Sequence, residues 1–310
     1  MTSPVVLGGV SHRHGTWHQI ADLPPDGPVG PDQIRALTQG GLSRFSVLDE
    51  PVRTHYPDCI GESLDKAKLL GADVDAVLFI SSTFSTYDNH GDMVEVCRQL
   101  GLTKAIPIGL FLAQCSNFSY ALMVAKSLID GQGMRTVLLL GADSLDETRS
   151  SRVLPANASV FSDTVLSCVV STDLAHGYRV EAINHVVEPE LSALDPAVDT
   201  LKFLDLFILR MQELCERTYS RTGYPPEAFS HLVLANLAIP VLRNYAAVSR
   251  IPFSRVPTKN IGVFGHCFAY DQLITLAELA DHDELGIGDL AHVLGVGGNY
   301  LFSSTVARRV

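Results

Sequence analysis

An α/β fold assembled from two similar halves is predicted by three observations. Continuous apolar runs at 74–82 and 136–141 suit strands buried on both faces of a parallel sheet. Amphipathic helical stretches separate such runs, the alternation that defines α/β architecture. The same order of elements restarts after residue 172, which divides the chain into 1–172 and 173–310 and hints at an old duplication.

The N-terminal half opens with a strand at 5–10. His12, Arg13, His14, Trp17 and His18 follow. Their spacing fits no helix face, and no carboxylate or cysteine completes a metal set, so a solvated loop is expected. The proline- and glycine-rich stretch 22–32 is loop. A helix is predicted over 58–70, with Ile60, Leu64, Ala67 and Leu70 on one face and Gly71 at its end. The strand at 74–82 and a helix at 92–100 come next. The apolar run 105–113 then stops at Gln114, and a helical pattern begins with Cys115 in its first turn. Phe118, Leu122, Ala125 and Ile129 mark its apolar face, and Gly131-Gln132-Gly133 ends it. A strand at 136–141, a polar loop at 143–158 and a strand at 165–171 complete the half.

In the second half a strand at 178–187 precedes a long helix at 201–219, with Leu204, Phe207, Ile208, Met211 and Leu214 inward. A strand at 231–237, a helix at 240–249, a strand at 260–265 and a helix at 271–280 follow. Strands at 290–295 and 299–306 close the chain.

Of the 310 residues, 46% are hydrophobic, enough for a large core, and the formal net charge of -11 argues against general binding to nucleic acid or to anionic membranes. The six cysteines (Cys59, Cys97, Cys115, Cys168, Cys215, Cys267) have no zinc-type spacing and read as reduced thiols of a cytoplasmic protein. No metal site is expected. The first residues lack a basic, then apolar, leader pattern. No apolar run reaches the ~20 residues needed to span a bilayer.

Cys115 carries the chemical signal. A thiol at a helix N-terminus meets unpaired N–H groups and the positive end of the helix dipole, both of which favour the thiolate nucleophile. The competing reading is a buried cysteine acting as a small hydrophobe.

Separated segments decide between these readings by resemblance. Residues 114–122 (Gln-Cys-Ser-Asn-Phe-Ser-Tyr-Ala-Leu) with 137–145 (Val-Leu-Leu-Leu-Gly-Ala-Asp-Ser-Leu) resemble the nucleophile region of the ketoacyl-acyl carrier protein synthase III family. Phe161-Ser162-Asp163, entering the strand 165–170, resembles its Phe-Gly-Asp-Gly entry, with Ser162 and Thr164 replacing the glycines. Phe264-Gly265-His266 stands at its Tyr-Gly-Asn turn, and Gly295-Val296-Gly297-Gly298 resembles its terminal glycine-rich turn. The resemblance implies the five-layered αβαβα thiolase fold, built of two similar halves and usually dimeric.

That family uses a cysteine, a histidine and an asparagine. Cys115 matches the first. The other two stand exchanged, Asn236 where the family has histidine and His266 where it has asparagine, and the 30 residues between them match the family interval. A second register places Asn236 at the motif's asparagine and Val233 at the histidine position. The resemblance further implies an oxyanion hole from the backbone N–H groups of Cys115 and Gly298. His266 is the available base, because imidazole titrates near pH ~6.5. Asp271, five residues on, either orients it or caps the following helix, a position where aspartate is favoured. Asn236 cannot act as a base but can hold a carbonyl or a water.

Some ketosynthase III-like members of secondary metabolism have a rearranged histidine and acylate a hydroxyl or amine. The expected function is therefore an acyltransferase. It carries an acyl group from a CoA or carrier-protein thioester through Cys115 to a hydroxyl, amine or carbon of a small-molecule acceptor, without a further cofactor and as a homodimer. A decarboxylating ketosynthase is the alternative, and a non-catalytic partner subunit a third reading, disfavoured by the retained cysteine. A dinucleotide site at 295–300 fails because no third spaced glycine or βαβ unit accompanies it. The family's donor-binding arginine falls on Val241, with Arg243 on another helix face. Arg149 and Arg152 form either a local basic rim or solvated loop charges.

Overall fold

The strands at the centre of the N-terminal half are buried on both faces, and this sets the layering. A computed structural model describes residues 4–23, 29–83, 89–145, 151–196, 198–298 and 300–310. Its N-terminal half comprises β1 (Val6–Arg13), β2 (Thr16–Gln19), α1 (Pro31–Gln39), β3 (Arg44–Val47), α2 (Tyr56–Ala67), β4 (Ala76–Ile80), α3 (Asn89–Gln99), β5 (Ile106–Leu110), α4 (Asn117–Gln132), β6 (Thr136–Asp143) and β7 (Thr164–Ser171). The C-terminal half comprises β8 (Tyr178–Val187), α5 (Thr200–Thr222), β9 (Phe229–Val233), α6 (Ile239–Ser249), α7 (Lys259–Phe264), α8 (Asp271–Asp281), β10 (Leu290–Gly297) and β11 (Leu301–Arg309).

Strand order is β5-β4-β6-β7-β1-β8-β11-β10-β9. The halves meet where β1 pairs with β8 through Val6↔Arg179 and Leu7↔Tyr178. β4 is parallel to β5 and β6. β7 runs antiparallel to β6 and β1. The second half repeats this scheme, with β10 parallel to β9 and antiparallel to β11.

Alternation along each strand divides the interior. On β4 and β6, Val77, Phe79, Leu138 and Leu140 face an outer core with α2 and α3. Ala76, Leu78, Ile80, Val137 and Leu139 face a central core. There α4 and α8 meet strands of both halves, Val233, Ala291 and Val293 among them. A third core lies between α5, α6 and the outer face of the β8-β11-β10-β9 half of the strand order. Helices, sheet, helices, sheet, helices is the αβαβα order, and the architecture is thiolase-like. Among the described residues, no helix is long and apolar enough to cross a membrane.

Several expectations change. The predicted strand at 260–265 is helix α7, and among the described residues the second half has no counterpart of edge strand β5. Ile261 and Phe264, three apart, are the buried pair; a short apolar run does not by itself distinguish strand from helix. On α5, Met211 and Leu214 are buried, but Leu204 and Ile208, expected inward, are 45% and 38% exposed. Burial on α5 is confined to its second half, and periodicity names a face without saying how far its neighbour extends. Helix α2 ends at Ala67 with Lys68 left-handed (φ 57°), so Leu70 falls outside it and is exposed.

His12 and Arg13 belong to β1, and the histidine cluster is not a solvated loop. The rings of His12 and His14 pack on Phe264 at 5.6 and 5.1 Å. Helix α1 and the β2–β3 pair are additional to the sequence reading.

Candidate active site

Cys115 sits at an elbow. The chain leaves β5 and turns through a 3-10 segment, Gln114–Ser116, just ahead of α4. The thiol therefore precedes the α-helix instead of lying in its first turn. Gln114 is left-handed, at φ +47°, a strained conformation for a residue with a Cβ. Asn117 braces the elbow, accepting from Ala113 N at 3.1 Å and donating to Ser81 O at 2.8 Å. Ser116 and Asn117 are buried, while Cys115 is partly exposed.

His266 reaches Cys115 from the other half. Its Nε2 lies 3.3 Å from Cys115 Sγ. The backbone is held by His266 N donating to Val160 O at 2.8 Å and Ser162 N donating to His266 O at 2.9 Å. Gly265 precedes it at φ +63°, where glycine avoids the strain. The Phe161 ring stacks on the imidazole at 5.3 Å, and Phe268 stacks on Phe161 at 4.5 Å.

The far side of the imidazole meets a carboxylate. His266 Nδ1 is 2.5 Å from Asp271 Oδ2, a pairing that assigns the Nδ1 proton. Asp271 is the first residue of α8, whose N-cap is Tyr270, so the capping reading gives way. Its carboxylate also accepts from Cys267 N at 2.7 Å, Asn236 N at 2.8 Å and Asn236 Nδ2 at 3.1 Å. Burial alone lowers the His266 pKa, but the negative charges of Asp271 and Cys115 outweigh it and raise the pKa to about 10.

Asn236 stands behind this pair. Its amide donates to Gly265 O at 2.7 Å and to Asp271 Oδ1. Both N–H groups are thus engaged by the scaffold, and neither is left to hold a substrate carbonyl or a water.

The glycine-rich turn closes the site from β10. A Cβ at Gly297 would lie 2.1 Å from Ala113 O, and one at Gly298 (φ +55°) 2.9 Å from Gln114 Oε1. The backbone of Gly298 thereby lies beside the Cys115 elbow.

Other expected residues lie elsewhere. Arg152 is neither a rim charge nor a solvated one. It is buried, with Nη1 2.9 Å from Asp163 Oδ1. Arg149 lies outside the described residues. The Arg243 guanidinium covers the Phe253 ring at 4.2 Å. Tyr245 had no sequence signal beyond its predicted helix. Its ring packs on Phe207 at 5.6 Å, and burial together with the charge of Cys115 raises its pKa.

The arrangement can generate a thiolate, store its proton on an imidazole, and return that proton. No family model matches the chain. Curated relatives are named beta-ketoacyl-acyl carrier protein synthase III. The one from Sodalis glossinidius is 24% identical over 318 residues, 98% of each chain. The one from Aquifex aeolicus is 27% identical over 285 residues, 87% of this chain and 89% of that relative. Among solved structures, ChlB3, described as an acyltransferase, superposes with a TM-score of 0.85 at 18% identity, covering 99% of this chain and 98% of the other. The Aquifex aeolicus 3-oxoacyl-acyl carrier protein synthase III gives 0.82 at 20% identity over 98% and 99%. A cerulenin-bound OleA from Xanthomonas campestris gives 0.81 at 14% identity over 98% of each. The chain has the thiolase fold and is ketosynthase III-like, similar over nearly its whole length to the beta-ketoacyl-acyl carrier protein synthase III proteins.

Proposed function

We propose that this protein is an acyltransferase that moves an acyl group from a CoA or carrier-protein thioester, through a Cys115 thioester, to a hydroxyl or amine. One observation carries the reading: His266 bridges Cys115 and Asp271, while both amide protons of Asn236 are held by Gly265 O and Asp271.

Thiol proton transfer to Nε2 leaves a thiolate beside an imidazolium whose other proton is held by Asp271. The thiolate attacks the thioester carbonyl, and the oxyanion is placed for the backbone N–H groups of Cys115 and Gly298. Collapse expels the donor thiolate, which takes the imidazolium proton. Acylation removes the charge on Cys115, one of the two that keep His266 protonated, so the imidazole is released to act as a base. It takes the acceptor's proton as that atom attacks the acyl carbonyl, then returns the proton toward Cys115 as the thioester breaks. Asp271 fixes the tautomer throughout, and Asn236 positions Asp271.

A decarboxylating condensation is the second reading, favoured by the names of the curated relatives. In the resembled ketosynthases, histidine and asparagine jointly hold a malonyl carbonyl as its enolate forms. The engaged amide of Asn236 counts against that grip.

The substrate thioester is the only organic group this scheme needs, and its setting would be cytoplasmic, in secondary metabolism. A homodimer is supported by β5, an edge strand with Ile106 exposed and Leu112 exposed just beyond it.

Intact-protein mass after incubation with acetyl-, malonyl- and longer acyl-CoAs tests the reading. One acyl mass gained, and absent from Cys115→Ala, is expected. A malonyl adduct that loses carbon dioxide would transfer support to condensation. Failure of every CoA and carrier-protein donor to load Cys115 would refute the enzyme reading.

A further inference from the structure

A small space lies beneath the nucleophile, on the interior side of the elbow. Ser116, Ser119, Gln272, Ser303 and Thr305 give it polar walls, and Cys115, Phe118, Val293 and Gly295 complete it. The room left for the centre of a water molecule is about 10 Å³, the lower end of the ~10–15 Å³ that admits one water.

The polar groups around it are incompletely used. Gln272 is 2% exposed. Its Nε2 donates to Leu294 O at 3.2 Å, while its Oε1 has no partner among the described residues. Turning the amide over would set Oε1 against the Leu294 carbonyl, two acceptors together, so the amide keeps this orientation and its oxygen stays without a protein partner among the described residues. The hydroxyl contacts are long: Ser119 to Thr305 at 3.2 Å, Ser303 to Ser116 at 3.4 Å and Ser303 to Gly295 O at 3.3 Å. Ser119 also meets His185 Nε2 at 3.3 Å, and Ser116 donates to Leu301 O at 3.2 Å; with two lone pairs on each hydroxyl oxygen, accepting capacity is left at Ser116, Ser303 and Thr305. Gly295 keeps the space open, since a Cβ there would stand 2.8 Å from Ser303 Oγ and 3.6 Å from Ser116 Oγ.

We propose that this chamber is a binding site for one ordered water, which donates to Gln272 Oε1 and bonds to the hydroxyls of the α4 and β11 walls. The water joins the helix behind Cys115 to the helix that begins at Asp271, because Ser119 lies on α4 and Gln272 directly follows Asp271. Both halves of the catalytic arrangement thus share one internal polar joint, whichever acceptor the enzyme acylates.

A high-resolution crystal structure of the full chain, with Gln272→Met alongside, tests this. The expected result is a water peak within hydrogen-bond distance of Gln272 Oε1 and of at least two of the Ser119, Ser303 and Thr305 hydroxyls. Gln272→Met should lose the peak and melt at a lower temperature. An empty chamber in the unsubstituted protein would overturn the proposal, as would an anomalous signal from a monovalent cation. A higher melting temperature for Gln272→Met would do so too, because it would mean that Oε1 is a bare buried acceptor whose removal is a gain.

Discussion

Asp271→Asn isolates the electrostatic part of the mechanism while keeping the shape of the side chain. The carboxylate accepts four hydrogen bonds: Oδ1 from Asn236 Nδ2 and Cys267 N, Oδ2 from Asn236 N and His266 Nδ1. Asparagine offers one oxygen and one NH2 group, so an NH2 in place of Oδ1 strands two buried donors, Asn236 Nδ2 and Cys267 N, and an NH2 in place of Oδ2 strands one, Asn236 N, while His266 can change tautomer. Each stranded donor costs about 1–3 kcal/mol. With the NH2 toward His266, Nδ1 becomes an acceptor and the ring proton moves to Nε2, the wrong tautomer for taking a proton from Cys115. The analogous change in a serine triad costs ~10⁴ in rate, or about 5 kcal/mol of barrier. A loss of that order is expected in acylation of Cys115. The assay is the pH dependence of Cys115 alkylation by iodoacetamide, which needs no knowledge of the acyl donor. In the unsubstituted protein the folded-state pKa of His266 is raised to about 10, against an unfolded value near ~6.5. The imidazolium's contribution to stability is therefore complete below pH ~6.5 and lost as pH rises through about 10. Asp271→Asn should flatten this window in thermal melts. Alkylation within about threefold of the unsubstituted protein at every pH, with an unchanged stability profile, would refute the role assigned to Asp271.

Two other substitutions test the scaffold. Arg152→Met leaves Asp163 buried without its ion pair, and a loss of ~3–5 kcal/mol is expected in chemical denaturation; a loss under about 1 kcal/mol would show that the pair is dispensable. Gly297→Ala drives a Cβ to 2.1 Å from Ala113 O, so the elbow must shift. Cys115 alkylation should slow by ~10²-fold even where the protein stays folded, since ~1 Å of displacement is costly at a reacting group. Unchanged alkylation would show that the turn and the elbow move independently.

How much of this was legible in the sequence depends on how local each feature is. Strands such as β4 and β6 were plain because burial on both faces leaves an uninterrupted apolar run, and α4 was plain because its face repeats at helical spacing. Helix α7 was misjudged because six residues are too few for either period to declare itself. Arg152 reads in sequence as a rim or loop charge because nothing in its neighbours announces the buried partner Asp163, 11 residues away. Asp271 divided two local rules. Its position before an apolar helix suggests a cap, and only the turn from Gly265 to Tyr270 folds the carboxylate back to Nδ1 of His266. For Asn236, the interval to His266 identified a residue of the same cluster, but spacing along the chain does not say which way an amide points.

The backbone explains why the chemistry was harder to read than the fold. Cys115 is preceded by Gln114 at φ +47°, and His266 is preceded by Gly265 at φ +63° and followed two residues on by Phe268 at φ +53°. A left-handed non-glycine residue costs of order 1–3 kcal/mol and persists only where its surroundings over-determine it. Here the surroundings are identifiable. Asn117 bonds hold the first turn, and the four hydrogen bonds on Asp271 together with the Phe268–Phe161 stack hold the second. Both reacting side chains therefore project from strained turns, outside the α-helices and strands of the layers. Helix and strand periodicities predict the rigid layers on either side, whose helices α4 and α8 carry Asn117 and Asp271 toward the gap; Phe161 and Asn236 come from connections between elements. The 3.3 Å contact between Cys115 and His266 is set by how those layers constrain two turns that have no period of their own.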